Sequence, residues 1–201
     1  MKIEIKHRYT GDIILCGEYE SLKDCLQKNK NKYLSDSDLR GSDLSDSDLR
    51  GSNLSASDLS DSDLSFSDLS FSDLRGSDLS DSNLSFSDLS DSDLSGSNLR
   101  GSDLKGSNLS FSDLRGSDLS GSNLRGSNLR GAKTDKRYIS ISCIGSRKDM
   151  TTYCFEDDTI WCGCFTGTLA KFEEEVKKTH KNNPQYLKEY LGFIKYIRSL
   201  K

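Results

Sequence analysis

The amino-acid sequence predicts a mainly β protein, in which a β-solenoid of about five coils stands between two smaller segments of different composition. The solenoid follows from an unbroken period of five, because a leucine occupies every fifth position from Leu34 to Leu129. Nineteen complete units of the form Ser-Asx-Leu-x-x run from Ser37 to Gly131. The chain before and after these units lacks the repeat, and the segment after them holds most of the aromatic residues.

A period of five excludes both ordinary regular structures. On an α-helix five residues advance by about 500°, so successive leucines would spiral around the helix and leave no apolar stripe. In a straight strand the side chains alternate with a period of two, so leucines five apart would point to opposite faces in turn. A chain that turns one corner per unit places every leucine inside and stacks its coils through backbone hydrogen bonds, which is a β-solenoid.

The repeat units resemble those of the pentapeptide-repeat family, whose pattern is a small residue, then Asp or Asn, then Leu or Phe, then two variable positions. The resemblance covers residues 37–131. It implies a right-handed quadrilateral β-helix with four units per coil, in which the central Leu and the small residue two positions before it point inward. Four units per coil give five coils, or roughly 24 Å of solenoid at about 4.8 Å per coil.

The predicted core is the set of central leucines, and the serines from Ser37 to Ser127 that precede them are expected inside as well. Because a buried hydroxyl needs a partner, each Ser should bond a backbone carbonyl or the Ser of the next coil. A disordered Ser- and Asp-rich linker is the alternative, but random drift would not keep twenty leucines in register. The leucines assigned to the core are Leu39, Leu44, Leu49, Leu54, Leu59, Leu64, Leu69, Leu74, Leu79, Leu84, Leu89, Leu94, Leu99, Leu104, Leu109, Leu114, Leu119, Leu124 and Leu129.

Residues 1–31 are predicted to cap the N-terminal end of the solenoid, which occupies residues 32–131. Apolar residues at 3, 5 and 13–15, on either side of a turn at residues 10–12, indicate a hairpin, and a short helix should open at Ser21, where Asp24 completes a capping-box arrangement. About thirty residues cannot hold a core alone. The apolar face of this helix is therefore expected to cover the open first coil, whose edge at Leu34 would otherwise fray.

Residues 132–201 are predicted to form an α+β segment of strands followed by two helices. The short sequences Ile-Gly-Ser-Arg at 144–147 and Cys-Gly-Cys-Phe at 162–165 resemble C-terminal regions of uncharacterised phage and prophage pentapeptide-repeat proteins. That resemblance implies no particular activity. The predicted strands are Tyr138–Ile144, Thr152–Phe155 and Ile160–Phe165.

The two predicted helices follow those strands. The first should run from Leu169 to His180 with Phe172 and Val176 on its apolar side. The second should begin at Pro184 behind an Asn183 cap, a favoured start because proline lacks the N–H that the first helical turn leaves unpaired. Its apolar residues are Leu187, Tyr190, Leu191, Ile194 and Ile197.

Composition indicates a cytoplasmic protein that does not enter a membrane. The chain has 201 residues and a net charge of −4, and it contains no run near the ~18 apolar residues of a membrane helix. The first residues, Met1 to Lys6, lack the apolar region of a secretory signal. In a reducing compartment the six cysteines should be mostly free thiols.

The cysteines of the C-terminal segment are the candidates for metal binding or thiol chemistry. Cys143, Cys154, Cys162 and Cys164 could in principle form a tetrathiolate zinc site, and a strand would place the last two on one face. Their spacing differs from the paired Cys-x-x-Cys of zinc ribbons, and buried free cysteine is commoner. The sequence therefore assigns no metal, and a metal-binding or cysteine-dependent domain remains an alternative.

No catalytic residue is assigned. His7 and His180 are the two imidazoles that could activate a nucleophile, and neither stands in a recognisable catalytic motif. The glycines of the repeat are turn residues and do not form a phosphate-binding loop. We therefore expect no enzymatic activity, no cofactor and no small-molecule substrate.

The position two after each leucine is outward, and it carries Phe in four units where most others carry Gly or Asp. With four units per coil, residues twenty apart stack. Phe66 and Phe86 then share one column, and Phe71 and Phe111 share the adjoining one. We expect this patch to mediate contact, either as self-association into a homodimer or as docking of the C-terminal segment. A ridge of phenylalanines without any partner is the plain alternative.

The repeat is acidic, and this raises a second functional hypothesis. Residues 37–131 hold 17 Asp and 8 Lys or Arg, a net charge of −9. The family includes proteins that protect bacterial topoisomerase from quinolones with a rod that resembles DNA, which implies mimicry directed at gyrase. B-DNA carries about 14 charges over 24 Å, more than this rod. The prediction is a non-enzymatic structural or interaction protein, phage or bacterial, that binds a protein or itself and no nucleic acid.

Overall fold

In the computed structural model, which describes residues 1–146 and 150–201, the chain divides into two compact units. The first unit contains most of the repeat, and the second contains the strands and helices that follow it. Arg147, which ends one of the sequences resembling phage proteins, lies outside the described residues. The first unit comprises residues 1–123 and 128–135, and the second comprises residues 124–127 and 136–201.

Each repeat unit turns the chain through one corner. The leucine carbonyl accepts a hydrogen bond from the N–H three residues on, as Leu59 does from Ser62 at 3.3 Å. The residue two after the leucine, which we call the corner position, has a φ between +54° and +74° in all twenty units. This is the geometry of a type II turn. Gly in ten corner positions and Asp in five are the residue types that tolerate it well.

The coils stack with a period of twenty residues, so that each coil contains four units. Asp78, for example, bridges in parallel to Asp58 and to Asn98, and the same spacing continues from Tyr33 to Lys133. Between neighbouring coils the backbone hydrogen bonds run in both directions along the solenoid axis. In one of them Leu59 donates its N–H to the carbonyl of Asp78 in the next coil, at 2.7 Å. Four columns of such bridges make a quadrilateral β-helix, as the family resemblance implies.

The central leucines form the core of this β-helix. From Leu39 to Leu124 every one of them is buried. Leu129, which the sequence assigned to the core, is only half-buried, because the repeat ends two residues later and no further coil follows it. Leu34 is 1% exposed. The first leucine of the repeat is therefore as well buried as those of the inner coils.

The inward serines complete the corners. Most of them donate their hydroxyl to the carbonyl of the leucine three residues earlier, as Ser82 does to Leu79 at 2.6 Å. The same carbonyl also accepts the serine N–H. The hydrogen-bonding needs of the buried serine are therefore met within its own turn. Ser37 instead donates to the Ser57 hydroxyl of the next coil, at 3.0 Å. The hydroxyls that find no partner in the described part of the chain are those of Ser47, Ser52 and Ser97.

The N-terminal elements close the first edge of the β-helix. Strand β1 pairs antiparallel with β2 on one side and with β3, which belongs to the first coil, on the other. Arg8 extends this contact, donating its N–H to the Asp36 carbonyl at 2.7 Å and its guanidinium to the Ala56 carbonyl at 2.9 Å. The elements are β1 (Lys2–His7), β2 (Ile13–Glu18), α1 (Leu22–Lys28) and β3 (Ser37–Asp38).

Helix α1 was expected to supply the cap, yet strand β1 makes the backbone pairing with the coil. The helix buries Cys25 and Leu26 completely. One half of the capping box is as predicted, because the Ser21 hydroxyl accepts the Asp24 N–H at 3.0 Å. The other half differs. The Asp24 carboxylate reaches Glu20 N–H at 3.2 Å instead of the N–H of the cap residue itself.

The second unit contains a four-stranded antiparallel sheet followed by two helices. The strands lie in sequence order, so that each hairpin pairs neighbours along the chain. Strand β4 ends earlier than the sequence analysis expected, at Ile141 instead of Ile144. The elements are β4 (Tyr138–Ile141), β5 (Thr151–Cys154), β6 (Thr159–Cys162), β7 (Phe165–Thr168), α2 (Leu169–Thr179) and α3 (Pro184–Ser199).

The prediction of a single strand over residues 160–165 was wrong. Gly163, at φ +55°, opens a two-residue turn with Cys164, and Cys162 pairs with Phe165 across it. A glycine at the first turn residue is typical of the type II′ hairpin. The short run therefore reverses direction and gives the sheet a fourth strand.

The two helices pack on one face of this sheet. The side chain of Asn183 accepts the Tyr186 N–H at 3.2 Å and caps α3, as predicted. His180, which the sequence placed at the end of the first helix, is instead its C-cap residue. Phe193 is buried with the predicted apolar residues. In the described part of the chain, no helix has both the length and the apolar composition needed to span a bilayer.

Candidate protein-contact face

Four phenylalanines at corner positions form the aromatic ladder. Phe66 and Phe86 stack in one column, and Phe71 and Phe111 lie in the adjoining column, where the sequence periodicity places them. The exposed fractions of Phe66, Phe71, Phe86 and Phe111 are 60%, 63%, 49% and 54%. The rings therefore contribute little to any core, and the contact role predicted for them stays a prediction.

Three of the rings, those of Phe66, Phe86 and Phe111, lie over the corner of the next coil. Phe66 and Phe86 are nearly parallel, with an interplanar angle of 11° and ring centroids 5.3 Å apart. The Phe86 ring covers Gly106 so closely that a Cβ there would lie 2.7 Å from a ring carbon. Phe111 covers Gly131 in the same way. Glycine at those two corners thus makes room for the ring of the preceding coil.

A column of carboxylates runs between the two Phe columns. The chain passes from the Phe66 corner through Asp68 to the Phe71 corner, and Asp68 bridges to Asp88 in the next coil. The Asp68 carboxylate accepts the Ser70 N–H at 3.0 Å and the Ser70 hydroxyl at 2.6 Å. Among the ion pairs of the described residues, none involves Asp68 or Asp88. We call this side of the coils, with its flanking rings, the ladder face.

In the column that follows the Phe71 corner the carboxylates have cationic partners. The Arg75 guanidinium lies 2.5 Å from Asp73 and holds the pKa of that carboxyl below its usual range. Arg115 does the same for Asp113, whose pKa falls to about 2. Arginine thus neutralises a neighbouring side of the solenoid and leaves the ladder face acidic.

The negative charge is concentrated in the coils that carry the ladder. Residues 61–100 contain nine Asp and two Arg, a net charge of −7. Residues 101–131 contain three Asp and four Lys or Arg, a net charge of +1. The acidic surface is therefore a patch of two coils, and it coincides with Phe66, Phe71 and Phe86.

The Asp and Asn side chains also have a structural role that the sequence analysis missed. Most accept the N–H two residues on, which is an Asx turn leading into the corner. Asparagines additionally donate to the residue one coil earlier, as Asn108 does to Asp88 at 3.1 Å and Asn98 does to Asp78 at 3.1 Å. An amide above a carboxylate removes one like-charge contact from the column. The twenty-residue period could have revealed these pairs.

The sheet register separates the candidate cysteines. Cys154 pairs with Thr159 while Cys162 pairs with Thr151, so their side chains project from opposite faces of the sheet. Cys164 lies in the β6–β7 turn and Cys143 is exposed in the loop after β4. Burial raises the pKa of the Cys154 thiol. No group of three metal-binding side chains occurs among residues 1–146 and 150–201.

The second unit also has a cleft of about 480 Å³ that the sequence did not indicate. The His180 ring stacks on Tyr190 with centroids 5.3 Å apart, and burial raises the pKa of the Tyr190 phenol to about 12. The walls of the cleft come from the β6–β7 turn and from both helices, together with Ser146. The lining includes Cys162, Cys164, Phe165, Phe172, His180 and Tyr190.

Regular corners, twenty-residue bridges and an uninterrupted leucine core define a quadrilateral β-helix that presents an aromatic and acidic surface. The family model described as pentapeptide repeats matches residues 33–65, 57–96 and 92–131, in eight copies. The chain belongs to the pentapeptide-repeat family. A search of curated protein sequences finds no match.

Solved structures of pentapeptide-repeat proteins are similar to the repeat. A thylakoid-lumen protein of Arabidopsis thaliana is 30% identical over 44% of this chain and 66% of its own, with a TM-score of 0.39. A protein of Nostoc PCC 7120 is 32% identical over 46% of this chain and 84% of its own, with a TM-score of 0.24. QnrB1, a plasmid-mediated fluoroquinolone resistance protein, is 22% identical over 46% of this chain and 60% of its own, with a TM-score of 0.24.

Proposed function

We propose that this protein is a non-enzymatic interaction protein and that the aromatic ladder is its contact surface for another protein molecule, whether a partner or a second copy. The observation that carries the proposal is the exposure of four phenylalanines at corner positions. Neither the backbone geometry nor burial favours a phenylalanine there. A binding role gives these side chains a reason to be present.

The energetics support this interpretation. A bulky L-residue in the left-handed conformation costs about 1–2 kcal/mol relative to the right-handed one. The stack of Phe66 on Phe86 returns about 0.5–1.5 kcal/mol, and exposed rings gain little from burial. Ten other corners of the same solenoid are built with glycine. The coil therefore does not need phenylalanine, whereas aromatic side chains are the usual hot spots of protein interfaces.

The placement of the cysteines in the second unit supports the proposal that the protein is not a thiol-dependent enzyme. The register places Cys154 and Cys162 on opposite faces of the sheet, and a thiol whose pKa is raised by burial is a poor nucleophile and a poor metal ligand. None of the six cysteines, all of which lie among the described residues, forms a disulfide bond. We place the protein in a reducing cytoplasm, bacterial or phage-infected, where free thiols persist.

DNA mimicry directed at gyrase is the second candidate, and the charge of residues 61–100 favours it. A net charge of −7 over two coils compares with about six charges on the same ~10 Å of B-DNA. Residues 101–131 have the opposite sign, so the similarity to DNA stops after two coils. A supercoiling assay separates the candidates: the interaction proposal expects no effect of micromolar protein on gyrase at low salt, and salt-sensitive inhibition would favour mimicry.

The contact role is tested by comparing the unmodified protein with the variant Phe66→Gly, Phe86→Gly. Sedimentation velocity over a range of concentrations detects a second copy, and affinity capture from a bacterial lysate followed by mass spectrometry identifies partners. Support requires that self-association, or direct binding of a purified captured protein, is lost in the variant and kept in Leu129→Ala. Equal binding by all three proteins would refute the ladder as the contact surface.

A further inference from the structure

We infer that the ladder face receives a segment of a partner protein in which Lys or Arg residues alternate with apolar ones, an inference that rests on the proposed contact role of the ladder. The face combines two chemistries that such a segment would satisfy together. Its edges are the exposed rings of Phe66, Phe86 and Phe71, and its centre is the column of Asp68 and Asp88.

The carboxylates at the centre of the ladder face each have an oxygen that can accept a further hydrogen bond or ion pair. In Asp68 one oxygen accepts both hydrogen bonds from Ser70, and in Asp88 the same oxygen accepts from Ser90 and from Asn108. In each case the oxygen used is Oδ1. The Oδ2 atoms have no hydrogen bond or ion pair among the described residues. Each is therefore open to a cation from outside.

The rings favour a cationic group that is carried on a long apolar side chain. A Lys or Arg side chain can lie against an aromatic face while its charge reaches a carboxylate. The ladder itself shows the first contact, because Lys105 Nζ lies 5.4 Å from the Phe86 ring centroid. Apolar side chains of the partner would cover Phe66 and Phe71, whose exposed rings are the largest uncovered apolar groups of the face.

Charge argues against a second copy as the occupant. In a two-fold symmetric dimer the same patch would face itself. Each copy would bring a net charge of −7 from residues 61–100, and like charges placed opposite each other disfavour association. A basic segment would instead be attracted by the acidic patch, and this attraction would weaken as salt screens the charges.

The test uses labelled decapeptides and fluorescence anisotropy with the full-length protein at about 50 mM salt. The peptides are (Lys-Leu)₅, (Lys-Ser)₅, which keeps the charge without the apolar groups, and (Glu-Leu)₅, which reverses the charge. Two variants form a matched pair, Asp68→Asn and Asp78→Asn. Asp78 lies on the opposite side of the coil and makes the same two bonds to Ser80, at 3.0 and 2.6 Å. Asparagine keeps the accepting oxygen, so both variants should fold.

The inference expects (Lys-Leu)₅ to bind more tightly than either control peptide. Asp68→Asn should weaken that binding about fivefold, the effect of one surface charge at contact distance, while Asp78→Asn changes it less than twofold. Equal effects of the two substitutions, equal binding of (Glu-Leu)₅, or no peptide binding would overturn the inference. If (Glu-Leu)₅ binds and Phe66→Gly with Phe86→Gly abolishes that binding, the contact role of the ladder survives while its charge preference fails.

Discussion

The packing of each ladder ring over the next coil can be measured with a pair of glycines. Gly106 and Gly96 share a φ of +67°, and both occupy corner positions. A Cβ at Gly106 would meet the Phe86 ring at 2.7 Å, whereas a Cβ at Gly96 would meet nothing within 4 Å. Substitution by alanine therefore imposes the same backbone cost at both sites and a ring collision at only one.

The expected magnitudes follow from these contacts. Gly96→Ala should cost about 1 kcal/mol for the left-handed backbone. Gly106→Ala should cost about 2 kcal/mol, because the Phe86 ring must also swing away and lose its stack on Phe66, worth about 0.5–1.5 kcal/mol. In the Phe86→Gly background the excess at Gly106 should vanish, which gives a coupling of about 1 kcal/mol in a double-mutant cycle.

The assay is equilibrium urea unfolding followed by circular dichroism. Trp161, the single tryptophan, lies in the second unit and reports on that unit separately by fluorescence. The two signals are fitted separately, because a chain of two compact units need not unfold in a single transition. Equal losses for Gly96→Ala and Gly106→Ala, or an excess at Gly106 that persists without the Phe86 ring, would refute the ring-over-glycine packing.

Three further outcomes are expected. Leu84→Ala should cost about 2–5 kcal/mol, because Leu84 is fully buried between hydrogen-bonded coils that cannot close the cavity, and half-buried Leu129→Ala should cost clearly less; equal losses in urea unfolding would contradict a continuous core. Arg115 depresses the pKa of Asp113 to about 2, so the pair stabilises the fold above about pH 4 and its contribution is lost as the pH falls towards 2. The stability difference between the unmodified protein and Asp113→Asn should be about 1 kcal/mol at pH 6, discounted because Arg115 is exposed, and near zero at pH 2; a difference independent of pH would exclude that pairing. A thiol reagent should react with exposed Cys16, Cys143 and Cys164 in the native protein, and with buried Cys25 and Cys154 after denaturation, because burial raises the pKa of both. Bound zinc in elemental analysis, or fewer than six thiols without reductant, would contradict free cysteines.

The repeat could be predicted from the sequence because a single rule fixes it. Once Leu recurs every five residues, the inward side chains and the corners follow from that period, and the stacking of Phe66 on Phe86 follows from the four units per coil that the family resemblance implies. The Asn-to-Asp pairs follow as well, since Asn108 and Asp88 are twenty apart. The same logic would have indicated that Gly106 makes room for the Phe86 ring.

The remainder depended on contacts that no local pattern encodes. The run around Gly163 satisfies strand alternation and a two-residue turn equally well, and only pairing of Cys162 with Phe165 decides between them. The capping pattern does not specify that the Asp24 carboxylate accepts the N–H of Glu20, the residue before the cap. The cleft beside Tyr190 joins residues from a turn and two helices, so its existence depends on tertiary packing.

The most direct test of the central claim is the stability of the variant Phe66→Gly, Phe86→Gly, measured by urea unfolding. The claim is that these rings serve contact and not the fold, because they are exposed and strain the left-handed corners. Relief of strain at two corners, about 2–4 kcal/mol together, exceeds the loss of one stack, about 0.5–1.5 kcal/mol, so stability should fall by no more than about 1 kcal/mol. A loss of about 3 kcal/mol or more would show that the ladder holds the solenoid together and would contradict the account.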